Sequence, residues 1–197
     1  IFFAKQKIFD SACRSFLLNL TLLREHSYIV LNCIIGLNKM HRILHRINTK
    51  DLLKKTSKEF GVEVDIRSNN NKLIMHHDPF KDGQLFEEWL EIYNHGTLIL
   101  NVKEEGLEDL VLELMQKYNV NNFFFLDQSF PFLRKTALLG EKRCAVRISE
   151  YEHIETALSL SGMVDWVWVD CFNQFPLSIE DDARLKNAGF KICIVSP

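Results

Sequence analysis

No two of the five cysteines are spaced as a CxxC pair, and their count is odd. Nothing in the sequence reads as a disulfide framework, so a reducing compartment is expected and a cytoplasmic location with it. Cys144, Cys171 and Cys193 stand in apolar, strand-like runs, where a thiol packs as a small hydrophobe. Charge of one sign is also lacking. The net charge of -2 exerts no pull toward nucleic acid or an anionic membrane surface. No hydrophobic run is long. The longest uncharged apolar stretch, Tyr28 to Leu37, is too short to span a bilayer, and no small-residue cleavage site marks a signal peptide. Neither a nucleic-acid partner nor stable membrane insertion is expected.

What is present is ordinary globular composition: 47% hydrophobic and 25% charged over 197 residues, enough for one good core. Residues 1–39 are rich in Phe, Leu and Ile without a clear cap, turn or period. Met40 stands directly before the first motif-bearing strand. The expected organisation is an N-terminal extension, 1–39, outside the native domain, followed by one domain over 40–197. From Met40 the pattern is regular. Strands are predicted at Ile43–His45, Val62–Ile66, Leu73–His76, Thr97–Val102, Asn122–Leu126, Cys144–Ile148, Trp166–Asp170 and Lys191–Val195. Helices are predicted at Thr49–Phe60, Gln84–Tyr93, Leu107–Tyr118, Phe130–Leu139, Glu152–Leu160 and Ile179–Ala188, with Gly61, Gly162 and Gly189 at C-terminal stops.

The strand at Leu73–His76 follows its predecessor through a short polar turn, Arg67 to Asn71, which suits a hairpin. The other strands number seven, near-continuously apolar and alternating with helices, which implies parallel strands covered by helices. The fold expected is therefore an α/β (β/α)8-type barrel, truncated at its C-terminus with about seven of eight strands present. Such barrels typically need about 250 residues, so this one is compact as well. A doubly wound open sheet is the alternative, but no glycine-rich fingerprint follows the first strand.

In a barrel of this kind the chemistry sits at the C-terminal ends of the strands. His45 and Arg46 end the first strand, Glu63 and Asp65 the second, Asn101 and Lys103 the third. Asp127 ends the fourth, Arg147 and Glu150 the fifth, Asp170 the sixth. The hairpin delivers His76 and His77 to the same rim. Because strand side chains alternate, Glu63 and Asp65 share a face, as do Asn101 and Lys103. Two carboxylates side by side at the end of a buried strand are costly unless a cation or a partner charge joins them. Ion pairs with Arg46, Lys103 or Arg147 are one solution; a site for phosphate chemistry is the other. Arg147 and Asp170 fit either substrate binding or a closed charge network.

The ordered set His45-Arg46, Glu63-Val64-Asp65, His77-Asp78 and Asn101-Val102-Lys103 resembles the pattern of the glycerophosphodiester phosphodiesterase and phosphatidylinositol-specific phospholipase C-like superfamily. Its members are TIM barrels. The resemblance implies a metal-assisted phosphodiester hydrolase acting on a small, glycerophosphodiester-like substrate of lipid metabolism. It implies a divalent cation, Mg²⁺ or Ca²⁺, at Glu63 and Asp65 with Asn101 as a further ligand. His45 and His77 become the acid/base pair, and Arg46 and Lys103 the phosphate contacts. Asp78 either orients His77 or only shapes the turn, while Arg147, Glu150 and Asp170 add to the pocket. Two departures stand out. The family's glutamate in a Pro-Glu-Asn-Thr segment is absent, the chain reading His45-Arg46-Ile47-Asn48-Thr49, and Asn101 replaces the third-strand glutamate. Asn48, Asn101 or Glu150 would complete the cation's shell. The alternative is a weakened barrel that binds a phosphorylated ligand without turnover.

Overall fold

The computed structural model describes residues 29–32 and 41–195. Along the chain these form strands β1 (Ile29–Asn32) and β2 (His41–Leu44), helix α1 (Lys50–Lys55), the hairpin β3 (Gly61–Asn69) and β4 (Lys72–Met75), and β5 (Gln84–Leu85). Then come α2 (Phe86–Leu90), β6 (Leu98–Val102), α3 (Glu108–Lys117), β7 (Phe123–Leu126), α4 (Phe130–Leu138) and β8 (Ala145–Ile148). The chain continues through α5 (Ile154–Leu158), β9 (Trp166–Val169), α6 (Ile179–Asn187) and β10 (Lys191–Val195). The stretch expected to stand outside the domain is described only at β1. Met40 and the remainder of that stretch lie outside the described residues.

The protein is a mixed α/β fold. Ladders β2/β3, β3/β6, β6/β7, β8/β9 and β9/β10 are all parallel, as the alternation of strand and helix requires. Between β7 and β8 there is a single parallel bridge, Phe125 to Cys144. β1 lies antiparallel between β2 and β10, so that neither presents a bare edge there. The β3/β4 hairpin turns through Asn70 and Asn71, both at positive φ (49° and 61°). Asparagine tolerates that left-handed region, which is why this polar run makes a turn and not a crossover.

Side chains alternate between two apolar layers. Leu98, Leu100, Val102, Phe123 and Phe125 face outward into the larger cluster beneath the helices. Ile99, Phe124 and Leu126 from the same strands face inward, joining Ile43, Ala145, Trp166, Trp168 and Cys193. That second cluster draws on β2, β6, β7, β8, β9 and β10, so the sheet curls around it. Phe124 stacks on Trp166 across the interior, ring centroids 4.3 Å apart.

Element limits differ from expectation where polar side chains intervene. α1 stops at Lys55 because Thr56 turns extended and its hydroxyl caps the Leu52 carbonyl at 3.0 Å. Gln84 and Leu85 pair with β4 before the helix begins. His45 lies just past β2, freed from the ladder to enter the site.

Candidate active site

The inward alternation that builds the apolar interior continues upward and becomes polar. Ile43 gives way to His45, Ile99 to Asn101 and Lys103, Ala145 to Arg147, and Trp166 to Trp168 and then Asp170. Glu63 and Asp65 follow the same face of β3, Asp65 directly opposite Asn101 in the ladder. The structure thus gathers His45, Glu63, Asp65, Asn101, Lys103, Arg147 and Asp170 at one end of the sheet. Backbone bonds fix that end, with Ile47 N–H donating to the Glu63 carbonyl at 2.8 Å and Lys103 N–H to that of Ile66 at 3.0 Å.

Glu63 and Asp65 are fully buried, and Asn101 nearly so. Glu63 accepts from the Arg46 backbone N–H at 2.7 Å and from Asn101 Nδ2 at 2.8 Å. Asp65 accepts from Asn48 Nδ2 at 2.7 Å, while its own N–H donates to Asn48 Oδ1 at 2.8 Å. Burial, and then the neighbouring Asp65, push the Glu63 carboxyl up to about 8, because a second negative charge in a dry interior is disfavoured. Two buried oxygens here, Asp65 Oδ1 and Asn101 Oδ1, accept no hydrogen bond. Among the described residues no three His, Cys, Asp or Glu side chains gather as a metal centre. The available set is two carboxylates and an amide oxygen. These are hard oxygen donors, two of them with an oxygen that lacks a hydrogen bond, and in type they fit a Mg²⁺- or Ca²⁺-sized cation. Asn48 meets Asp65 through both ends of its amide.

Around this pair runs a chain of alternating charge. Lys103 Nζ sits 3.3 Å from both Asp65 Oδ1 and Asp127 Oδ2. Arg147 pairs with Asp127 and, at 2.9 Å, with Asp170 Oδ2. Trp168 Nε1 donates to Asp170 at 3.0 Å. Burial holds the Asp170 carboxyl above its ordinary range, with Arg147 pulling the other way. Arg147 and Asp170 therefore close a charge network, which Lys103 links to the acid pair.

His45 lies 3.7 Å from Glu63 through Nε2 and is stacked over Trp168 at 6.3 Å. Burial depresses its imidazole to about 4, so it is neutral at physiological pH and able to accept a proton. His77 is more open; its Nδ1 faces Asp78 Oδ1 at 2.8 Å. That bond holds the Asp78 carboxyl below its ordinary value and fixes the ring. Arg46 takes a left-handed backbone, φ 57°, which aims its N–H at Glu63 and leaves the guanidinium exposed.

Arg67 escaped notice in the sequence, where it reads as a turn residue. Its guanidinium donates to the His77 carbonyl at 2.9 Å and 3.3 Å and to the Lys103 carbonyl at 3.4 Å, tying hairpin to third strand. Glu104 steadies it from 3.5 Å while accepting from Ser68.

Glu150 turns away from the acid pair. It accepts from the backbone N–H groups of Phe172, Asn173 and Gln174 at 3.2, 2.6 and 2.7 Å. Those bonds, Gln174 first and then Asn173, lower its carboxyl to about 2. A depressed acid stabilises the native state above its unfolded pKa and loses that contribution as pH falls. The 172–174 loop is therefore expected to loosen between about pH 4.5 and pH 2. Amide exchange at Asn173 and Gln174, corrected for intrinsic rates, reads this directly. Exchange equally slow at pH 6 and pH 2.5 would contradict it.

No family model matches the sequence, and no curated protein does. Among solved structures, the chain is similar to a crystal structure named "Putative glycerophosphoryl diester phosphodiesterase", from Agrobacterium tumefaciens. The likeness is one of fold. The TM-score is 0.51 and the identity 15%, over 68% of this chain and 71% of that one. No helix among the described residues is long and apolar enough to cross a membrane.

Proposed function

We propose that the chain is a divalent-cation-assisted phosphodiester hydrolase of the glycerophosphodiester type, built on a (β/α)8-type barrel. One observation carries the reading. Glu63 and Asp65 are buried side by side beside the amide oxygen of Asn101, with Asp65 Oδ1 and Asn101 Oδ1 lacking hydrogen bonds. The fold likeness and the ordered motifs agree with it. Glu63, Asp65 and Asn101 would hold Mg²⁺ or Ca²⁺, which supplies positive charge against the phosphodiester oxygens when bound. Arg46 would grip two phosphate oxygens as a fork, and Lys103 would offer a point charge. Neutral His45 would take a proton from a substrate hydroxyl or from water at its imidazole nitrogen. His77, its Nδ1 held by Asp78, would give a proton to the departing alcohol oxygen through Nε2.

The test is release of alcohol from a panel of glycerophosphodiesters with Mg²⁺ or Ca²⁺ and with chelator. Turnover should require the cation and should vanish in Glu63→Gln. One feature favours a second reading, a barrel that binds a phosphorylated ligand without turnover: the Asp65–Lys103–Asp127 contacts already balance much of the negative charge internally. Retained phosphate binding with no hydrolysis across the panel would decide for it.

A further inference from the structure

Arg67 belongs to the same series as the acid pair. Strand side chains repeat every second residue, so Glu63, Asp65 and Arg67 leave β3 on one face. The Arg67 side chain is 13% exposed. Its Nη2 and Nε donate to the His77 carbonyl at 2.9 and 3.3 Å. Its Nη1 reaches the Lys103 carbonyl at 3.4 Å and lies 3.5 Å from Glu104 Oε1. The two carbonyls are backbone groups, so Arg67 acts on where other residues stand.

His77 has need of such an anchor. It lies two residues past the end of β4, whose ladder with β3 stops at Met75. Its side chain is 43% exposed, so packing does little to place it. Backbone bonds do so instead. His76 N–H donates to the Asp65 carbonyl at 3.1 Å, and Asp78 N–H donates to His76 Nδ1 at 2.9 Å. Between these two bonds the His77 carbonyl takes the fork of Arg67. The same planar guanidinium meets Lys103 on β6's far end. One side chain thus joins the loop of the proposed proton donor to the backbone of the proposed phosphate contact. A lysine, with a single point charge, lacks the geometry to fork this way.

We propose that Arg67 is a positioning residue for proton donation: it holds His77 in register with the phosphate contact at Lys103 and does not itself touch substrate. This rests on the phosphodiester reading above. In that reaction the P–O bond to the alcohol breaks with its electron pair on the alcohol oxygen, and His77 Nε2 supplies the proton. The new P–O bond forms to the hydroxyl or water whose proton passes to His45. Only departure of a basic alkoxide needs His77 in place; a leaving group that is stable as an anion does not.

Two esters with the same glycerol phosphate half test this on the full chain: glycerol 3-(ethyl phosphate) and glycerol 3-(4-nitrophenyl phosphate). Arg67→Met should lower kcat on the ethyl ester about a hundredfold or more, and on the nitrophenyl ester less than about threefold. KM should change little for either. The retained nitrophenyl activity also shows that the variant is folded. Arg67→Lys keeps a positive charge beside Glu104 and should show the same split. Losses on the ethyl ester should not add, so that Arg67→Met in a His77→Ala chain costs less than about threefold more. Equal losses on both esters, or losses that add to His77→Ala, would make Arg67 a merely structural tie and overturn the proposal. Turnover of neither ester by the parent protein would instead end the phosphodiester reading, and the positioning role with it.

Discussion

Replacing His45 with alanine is expected to lower kcat by about two to four orders of magnitude, the usual worth of a positioned proton acceptor. KM should move little, because in the proposed site Arg46 and Lys103, and not His45, would carry the phosphate contacts. The imidazole lies beside the buried pair, 3.7 Å from Glu63 and stacked on Trp168. Its depressed value of about 4 keeps it unprotonated across the neutral range. Added imidazole should restore part of the rate in the alanine variant, because the cavity left against Trp168 matches the ring removed. A variant retaining near-parental turnover would remove His45 from the reaction. A loss shared equally between kcat and protein stability would make it a packing residue instead.

Arg147→Met should be the most damaging change to the charge network. It leaves Asp127 with Lys103 alone and Asp170 with only the Trp168 indole. Breaking a fully buried pair costs about 3–5 kcal/mol; screening at a partly open site reduces that to about 2–3 kcal/mol, since the Arg147 side chain is 35% exposed. The pH dependence has a definite sign. Asp170 already sits above its ordinary value through burial, against the pull of Arg147. Without the guanidinium it rises further, so the native state binds more protons than the unfolded chain and stability falls as pH rises. The deficit should be full at pH 7 and much smaller near pH 4. Urea unfolding at the two pH values measures it, and Asp170→Asn in the same chain should recover most of the loss at pH 7. A deficit independent of pH would rule out the electrostatic account.

Local chemistry made much of this fold legible. Apolar alternation located every strand from β2 to β10 except two-residue β5, and the asparagines at 70 and 71 announced the hairpin. The same alternation placed Glu63 with Asp65 and Asn101 with Lys103, because a two-residue period puts those side chains on one face. What escaped depended on distant partners. Arg67 acts on a carbonyl 36 positions away, and nothing adjacent to it signals that. Glu150 reads as a rim acid until the loop 22 to 24 positions later folds over it. Arg147 and Asp170, open to two roles in the sequence, close on one another. The ladder between β7 and β8 stops after one bridge, which no strand-forming residue on either side foretells.

The placement of β1 reaches beyond the site. Val30 lies opposite Ile43 on one side and Val195 on the other, partners from opposite ends of the described chain. Closing so large a loop of polypeptide precedes any gain from the contacts it brings, which slows folding. During synthesis the facing flanks of β2 and β10 cannot both be covered until β10 has emerged. Assembly of this sheet is therefore completed late, and β1 is the piece that must wait longest for its second neighbour.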